Sequence, residues 1–104
     1  MSRYYNQDGQ PITLMEWVML FEDTPRRQIA LTTLPDGKQV ATVWLGLDHN
    51  FRNSGPPLIF ETLVGSSVTG RSDLDCDRYS TKAEAIAGHQ RMVKRWSSGE
   101  SCTG

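Results

Sequence analysis

Two strand-like segments joined by a charged bend limit most strongly what this chain can fold into. Thr42-Val43-Trp44-Leu45-Gly46-Leu47-Asp48-His49-Asn50-Phe51 runs from an extended, β-rich stretch into a polar loop. Gly55-Pro56-Pro57 interrupts it, and Leu58-Ile59-Phe60-Glu61-Thr62 resumes as a second extended stretch. In a strand successive side chains point to opposite faces, so Ala41, Val43, Leu45 and Leu47 share one face and Val40, Thr42, Trp44 and Gly46 the other. Apolar residues on both faces predict a central strand, with a helix on one side and Trp44 spread over the other, partly covered side. Glycine weakens a strand interior, so Gly46 is expected to mark a bulge or a close contact at the strand's end. In the partner segment Leu58, Phe60, Thr62 and Val64 alternate with Ile59, Glu61 and Leu63, leaving Glu61 as a carboxylate among apolar neighbours.

The flanking residues supply the other elements. Leu34-Pro35-Asp36-Gly37-Lys38 is a tight-turn sequence, because proline pre-sets the first turn residue and glycine supplies a left-handed one. It predicts a hairpin of strands 28–34 and 38–47. Leu74 to Tyr79 reads as a short fourth strand after a loop over 66–73. Tyr4-Tyr5, ahead of the turn Asn6-Gln7-Asp8-Gly9, reads as a short edge strand or an anchored arm. Thr13 with Glu16 and Thr81 with Glu84 both have the capping-box form, and they predict helices beginning at Leu14 and just after Thr81.

The first helix, Leu14–Phe21, is apolar almost all round and is expected to be sandwiched in the core. The sharper alternative is that its Met15 and Met19 side meets a partner or a second copy of the chain. It should end before Pro25, with Arg26-Arg27 in the following loop. The second helix, ending near Trp96, should pack through Ala85, Ile86, His89, Met92, Val93 and Trp96, with Glu84, Gly88, Arg91 and Arg95 outside. The expected architecture is α+β: an antiparallel sheet of about four strands in the order α-β-β-β-β-α, with the C-terminal helix packed on one face. Residues 1–97 form one compact domain and 98–104 a polar tail.

With 104 residues, 11 Lys plus Arg against 12 Asp plus Glu, and a formal charge of −1, the chain has no global basic field to draw it onto nucleic acid. No charged-then-apolar leader and no long apolar run are present, so neither a signal peptide nor a membrane span is expected. The two cysteines, Cys76 and Cys102, are unevenly placed and are not expected to pair, which suits a reducing cytoplasm.

Asp48, His49, Glu61, Cys76 and His89 are the residues from which a metal or acid/base site could be composed. They lack the paired short spacings that zinc sites use, so no metal and no cofactor is expected. Asp48 and Asn50 suit bonds to nearby backbone amides. His89 suits a half-buried position bonded to backbone or to Glu61. Acidic neighbours hold a thiol protonated, which disfavours Cys76 as a nucleophile. The chain is therefore read as non-enzymatic.

The segments Tyr4–Asp23, Thr42–Phe51, Gly55–Thr62 and Asp73–Trp96 together resemble a family of small proteins of tailed bacteriophages and prophages, over nearly the whole length. Its pattern, WLGLDH…GPPLIFET…RYST, is met here except at Arg52-Asn53-Ser54, where a glycine-rich turn is more typical, and in the connector Gly65–Asp73. The resemblance implies phage origin, a compact fold and the cytoplasm of the infected host. It brings no established catalytic residues.

Phage origin and surface chemistry together lead to the expectation of an accessory protein that binds and blocks a host protein, such as an anti-CRISPR-like anti-defence inhibitor. Its partner could be a nucleic-acid-binding defence effector. The expected contacts are Trp44, Asp48, His49, Asn50 and Phe51, the acidic run Asp73, Asp75 and Asp77, and a possible homodimer contact through Leu14–Phe21. The alternatives are a nucleic-acid-binding regulator using Arg91, Lys94 and Arg95, with Arg26-Arg27, or a small virion or assembly component. The simpler reading of the basic cluster is a solvated face near a helix C-terminus, where cations offset the dipole.

Overall fold

A computed structural model of the chain describes residues 3–48, 55–66 and 70–97, with the backbone alone at 71–73. The expected tail at 98–104, which contains Cys102, lies outside the described residues. The elements are β1 (Tyr4–Tyr5), β2 (Pro11–Ile12), α1 (Leu14–Phe21), α2 (Thr24–Arg27), β3 (Gln28–Thr33), β4 (Lys38–Trp44), β5 (Phe60–Ser66), β6 (Arg71–Tyr79) and α3 (Lys82–Ser97). The fold is α+β, with a four-stranded antiparallel sheet in the order β3-β4-β5-β6 and the C-terminal helix α3 packed on one face.

Strand alternation divides the sheet into two faces. Three rows of paired residues point toward α3: Trp44–Phe60–Tyr79, Ala30–Thr42–Thr62–Asp77, and Thr32–Val40–Val64–Asp75. Trp44, Phe60, Val40, Val64, Thr42 and Thr62 are all fully buried there. Rows that point the other way include Leu31–Ala41–Leu63–Cys76 and Gln28–Val43–Glu61–Arg78. The expected placing of Trp44 on the side away from the helix is thus corrected. Trp44, Phe60 and Ile59 join Tyr79 and Ala85 in one cluster, onto which Tyr5, Ile12, Trp17, Leu20 and Phe21 pack. Leu34, Val40, Val64 and Met92 form a second cluster, with Leu74, Val93 and Trp96 against it.

The β3–β4 turn forms as its composition requires. Gly37 takes φ 93°, Leu34 and Lys38 close the hairpin by a 2.7 Å backbone bond, and Asp36 accepts from the Lys38 amide. β4 stops at Trp44, short of the expected residue 47, because the amides of Leu45 and Gly46 both turn to the carbonyl of Ile59. Gly46 has φ 71°, and a Cβ there would collide with the Trp44 and Trp17 rings. Glycine is required at that position on both counts. β6 begins at Arg71, earlier than expected, since Ser66 pairs with Arg71 and the hairpin carries a bulge after Val64.

Both capping boxes are present. Thr13 and Glu16 exchange bonds of 3.1 and 2.9 Å, and Thr81 and Glu84 exchange two of 3.1 Å. α3 buries Ala85, Gly88, His89 and Met92, whereas Ile86 is 46% exposed. The expected inward Ile86 and outward Gly88 are exchanged. Ala85, Gly88, His89 and Met92 follow the i, i+3, i+4, i+7 spacing, and Ile86 sits a further 100° round. Gly88 is admitted because the Tyr79 ring and hydroxyl occupy the space where a side chain would lie.

α1 departs furthest from expectation. None of its residues is fully buried, so the core-sandwiched reading is corrected: Trp17, Leu20 and Phe21 face inward, while Leu14, Met15 and Met19 are 55, 69 and 68% exposed. The short helix α2 was not anticipated. Asp23 caps it by accepting from the Arg26 amide, and Pro25 sits in its first turn, where a missing N–H costs nothing. At the N-terminus β1 and β2 make a two-stranded hairpin, and the Tyr5 amide bonds the Gly46 carbonyl at 2.7 Å.

Candidate interaction surfaces

The residues singled out in the sequence fall into four places. The first is the base of the Asp48–Ser54 loop. Asp48 Oδ1 accepts from the Leu58 amide at 3.0 Å, and the Asp48 amide donates to the Arg3 carbonyl at 3.0 Å. The carboxylate therefore joins the end of β4 to the approach of β5, the backbone-bonding role its residue type suggests, while the Asp48 amide ties in the N-terminal arm. His49, Asn50 and Phe51 lie outside the described residues. Trp44 is 1% exposed and its Nε1 donates to the Tyr5 carbonyl at 3.1 Å, so it offers no contact surface.

The second place is the acidic strand. Asp75 is turned inward to α3, where it accepts from Arg95 at 2.8 Å and from the Trp96 indole at 3.0 Å. The indole donor, followed by the Arg95 guanidinium, holds its carboxyl below the usual carboxylate range. Asp75 thus ties β6 to the last turn of α3 and is not available as one of three parallel acids. Asp77 is exposed and accepts from the Arg78 amide at 2.9 Å. Asp73 lies in β6, and its side chain is outside the described residues.

The basic cluster on α3 is divided in the same way. Arg95 belongs to Asp75, leaving Arg91 and Lys94 exposed. Arg26 pairs with Asp23 at 3.3 Å, and the Arg27 guanidinium lies 4.2 Å from the centre of the Phe21 ring. These two arginines brace the corner between α1 and α2.

The expected Glu61–His89 contact does not form, because the two residues lie on opposite faces. His89, 2% exposed, is bonded through Nε2 to Thr32 Oγ1 at 2.9 Å and through Nδ1 to Thr42 Oγ1 at 2.8 Å. Thr42 continues the chain to Thr62 at 2.6 Å. Burial lowers the pKa of His89 from its ordinary 6.5, favouring the neutral ring. Three threonines at strand positions that read as apolar or neutral are what sequence reasoning missed; threonine at inward alternation positions facing a helical histidine was the available signal.

On the outer face Glu61 receives the Arg78 Nε at 3.0 Å and the Cys76 thiol at 3.3 Å. Burial, then the Glu61 carboxylate, pushes the Cys76 pKa up to about 11, so the sulfur is a thiol and a poor nucleophile. No group of three or more His, Cys, Asp or Glu side chains gathers to hold a metal among the described residues. No helix among them is long and apolar enough to cross a membrane.

Among the described residues, two apolar areas stay exposed to solvent. One is the outer sheet face, where Leu31 is 48% exposed and Ala41, Val43 and Leu63 are half-buried, with no described helix above them. The other is α1. Its Met15 and Met19 lie one turn apart and, with the neighbouring Leu14, form one exposed apolar patch beside half-buried Val18. The patch is fixed in place: Trp17 stacks on Phe21 with centroids 4.7 Å apart, and Trp17 Nε1 donates to the Leu45 carbonyl at 2.9 Å. Scans against protein-family models, curated proteins and solved structures each found no match to the chain.

Proposed function

We propose that this chain is a non-enzymatic phage accessory protein that binds and blocks a host protein, in the manner of an anti-CRISPR-like inhibitor, with the Leu14–Met15–Met19 face of α1 as its anchor. Phage origin is supported by the sequence resemblance over Tyr4–Trp96. The anchor is supported by one observation above the others: three large apolar side chains more than half exposed on a helix whose opposite side is clamped by stacked aromatics and a capping box. Soluble domains seldom leave such a cluster in water without a partner for it. Methionine's unbranched, polarisable chain adapts to varied surfaces, which suits an inhibitor that covers another protein's working face. Exposed Glu16 in the first turn of α1 and Glu22 at its C-cap favour a partner with basic residues around an apolar centre, such as a nucleic-acid-binding effector.

The test is affinity capture from nuclease-treated host lysate with the wild-type chain and the double variant M15D/M19D, which changes solvent-exposed positions only. A defined host protein recovered in near-equal amount by the wild type and lost by the variant is the expected result. Nuclease-sensitive capture would replace this reading with a nucleic-acid-binding regulator, and recovery of phage structural proteins would replace it with an assembly role. Self-association by the wild type alone, read by sedimentation, would assign the patch to a second copy.

A further inference from the structure

The sheet has two edges, and they are built from different residues. β6 carries Arg71, Asp73, Asp75, Asp77 and Arg78, the kind of charge by which an edge strand discourages a further strand. β3 has no charged residue and no proline along its whole length, Gln28–Thr33. The ladder also decides which way its backbone groups point. In an antiparallel pair every second residue bonds across, and the Leu34 amide reaches the Lys38 carbonyl at 2.7 Å, so Thr32 and Ala30 turn their N–H and C=O to β4. The N–H and C=O of Leu31 and Thr33 therefore point off the sheet, and among the described residues no backbone partner meets them.

Exposed apolar side chains flank this edge on both faces. On the outer face Leu31 is 48% exposed. On the inner face Ala30 and Thr32 stay half-buried, whereas Val40 and Thr42 beside them on β4 are fully buried, since no described element lies beyond β3. Ile86, 46% exposed, stands above the same edge. It lies on the flank of α3 opposite Gly88, which abuts Tyr79 of β6, and two turns before Val93, which packs against the Leu34 cluster at the end of β3.

We infer that β3 pairs antiparallel with β3 of a second copy of this chain, about a two-fold axis at Leu31, so that the two four-stranded sheets run on as one. Leu31 then exchanges both backbone bonds with Leu31 of the second copy. Counting outward from the axis sets Thr33 opposite Ile29, where the β3 bulge ends the ladder. Counting further brings the α2 corner, with exposed Arg26, to the end of the seam where the turn of the other copy carries exposed Asp36. A parallel seam would set Arg26 against Arg26. The two Leu31 side chains become neighbours on the outer face, and the two Ile86 side chains face the seam on the inner one. A strand of another protein needs a matching residue at each of these points; a second copy supplies them all. The ladder is short, so the dimer is weak and depends on concentration.

Sedimentation velocity of the intact chain over a concentration series is the test. The expected result is a reversible monomer–dimer equilibrium in the micromolar range. L31K, at an exposed position, should keep the fold, as read by circular dichroism, and weaken dimerisation by about tenfold or more, because two lysines would meet at the axis. M15D/M19D should dimerise as the wild type does, which separates this seam from the α1 patch. Amide exchange of the wild type gives a readout that needs no variant: Leu31 and Thr33 should slow at dimer-forming concentrations, while Ala30 and Thr32, already bonded to β4, should not change. A chain that stays monomeric at millimolar concentration, a dimer that L31K leaves intact, or a dimer lost in M15D/M19D and kept in L31K would each overturn the assignment. A monomer whose capture of a host protein is lost in L31K would overturn it in favour of a foreign strand on the same edge.

Discussion

The two faces of the sheet are made from alternate residues of the same four strands, yet they are used in opposite ways. The inner face places Trp44, Phe60, Val40 and Val64 under the helices and threads His89, Thr42 and Thr62 between them. The outer face carries a row of comparable apolar character, Leu31–Ala41–Leu63–Cys76, with no described helix over it. Apolar alternation on both sides of a strand therefore records which residues could be covered, and says nothing of which are covered by the chain itself. The remaining face is either tolerated half-exposed or reserved for something else.

The largest test of that contrast compares Phe60 with Leu63, three residues apart on one strand. Truncating fully buried Phe60 to alanine should cost about 3–5 kcal/mol from lost transfer energy and the cavity left behind. Leu63→Ala should cost roughly 1 kcal/mol or less, as at half-exposed sites that leave no enclosed void. Urea denaturation midpoints of the two variants measure the gap. Equal losses would mean that the outer face is sealed in solution and that the contrast between faces is false.

A second test addresses the polar thread within the inner face. His89 is held neutral by burial, its pKa lowered from 6.5, so the unfolded chain takes up a proton more readily than the folded one. The sign follows: this contribution is fully present above pH 6.5 and is lost as pH falls from there through the lower folded-state value. Thr32 and Thr42, which face the two ring nitrogens, are uncharged; Tyr79 lies on the other side of Gly88, and its own pKa is raised by burial, so it stays neutral across this range. Replacing His89 with leucine should lower stability at neutral pH by about 1–3 kcal/mol, since the hydroxyls of buried Thr42 and half-buried Thr32 each lose a partner. It should also flatten the acid limb of the stability profile below pH 6.5. An unchanged acid limb in that variant would remove His89 as its cause.

Much of this was legible from local chemistry. Thr13 with Glu16 and Thr81 with Glu84 mark their helices because a capping box is a contact between residues three apart, and Pro35-Asp36-Gly37 marks its hairpin for the same reason. The errors concern contacts between distant residues. His89 meets Thr32 and Thr42 across separations of 57 and 47 residues, and no local pattern distinguishes that pairing from one with Glu61. Trp44 read as a surface aromatic because alternation defines two faces without ranking them. Gly88 read as solvent-facing because glycine adds little to an apolar stripe, although its lack of a side chain is what lets Tyr79 lie beneath α3. Asp75 was misread for this reason: it was drawn inward by Trp96 and Arg95 from another element, whereas the capacity of Asp48 to bond backbone amides follows from its residue type alone.

The smallest expected effect tests that last point, at the border between the faces. Asp75 lies on the inner-face register of an edge strand, and its side chain keeps 24% exposure, so water screens its pairing with Arg95. Asn in its place keeps an oxygen to accept from the Trp96 indole and removes the charge that Arg95 meets. The cost should be about 0.5–1 kcal/mol, as for a partly exposed ion pair, and should shrink in high salt. Because the native carboxyl is depressed below its ordinary 3.8, its contribution is present above that value and lost as pH falls below it, so wild type and D75N should converge in acid. A loss several times larger that persists in salt would mean that Asp75 acts as a buried anchor. The inner face would then extend over the sheet edge, and the acidic strand would have no outward role for Asp75 at all.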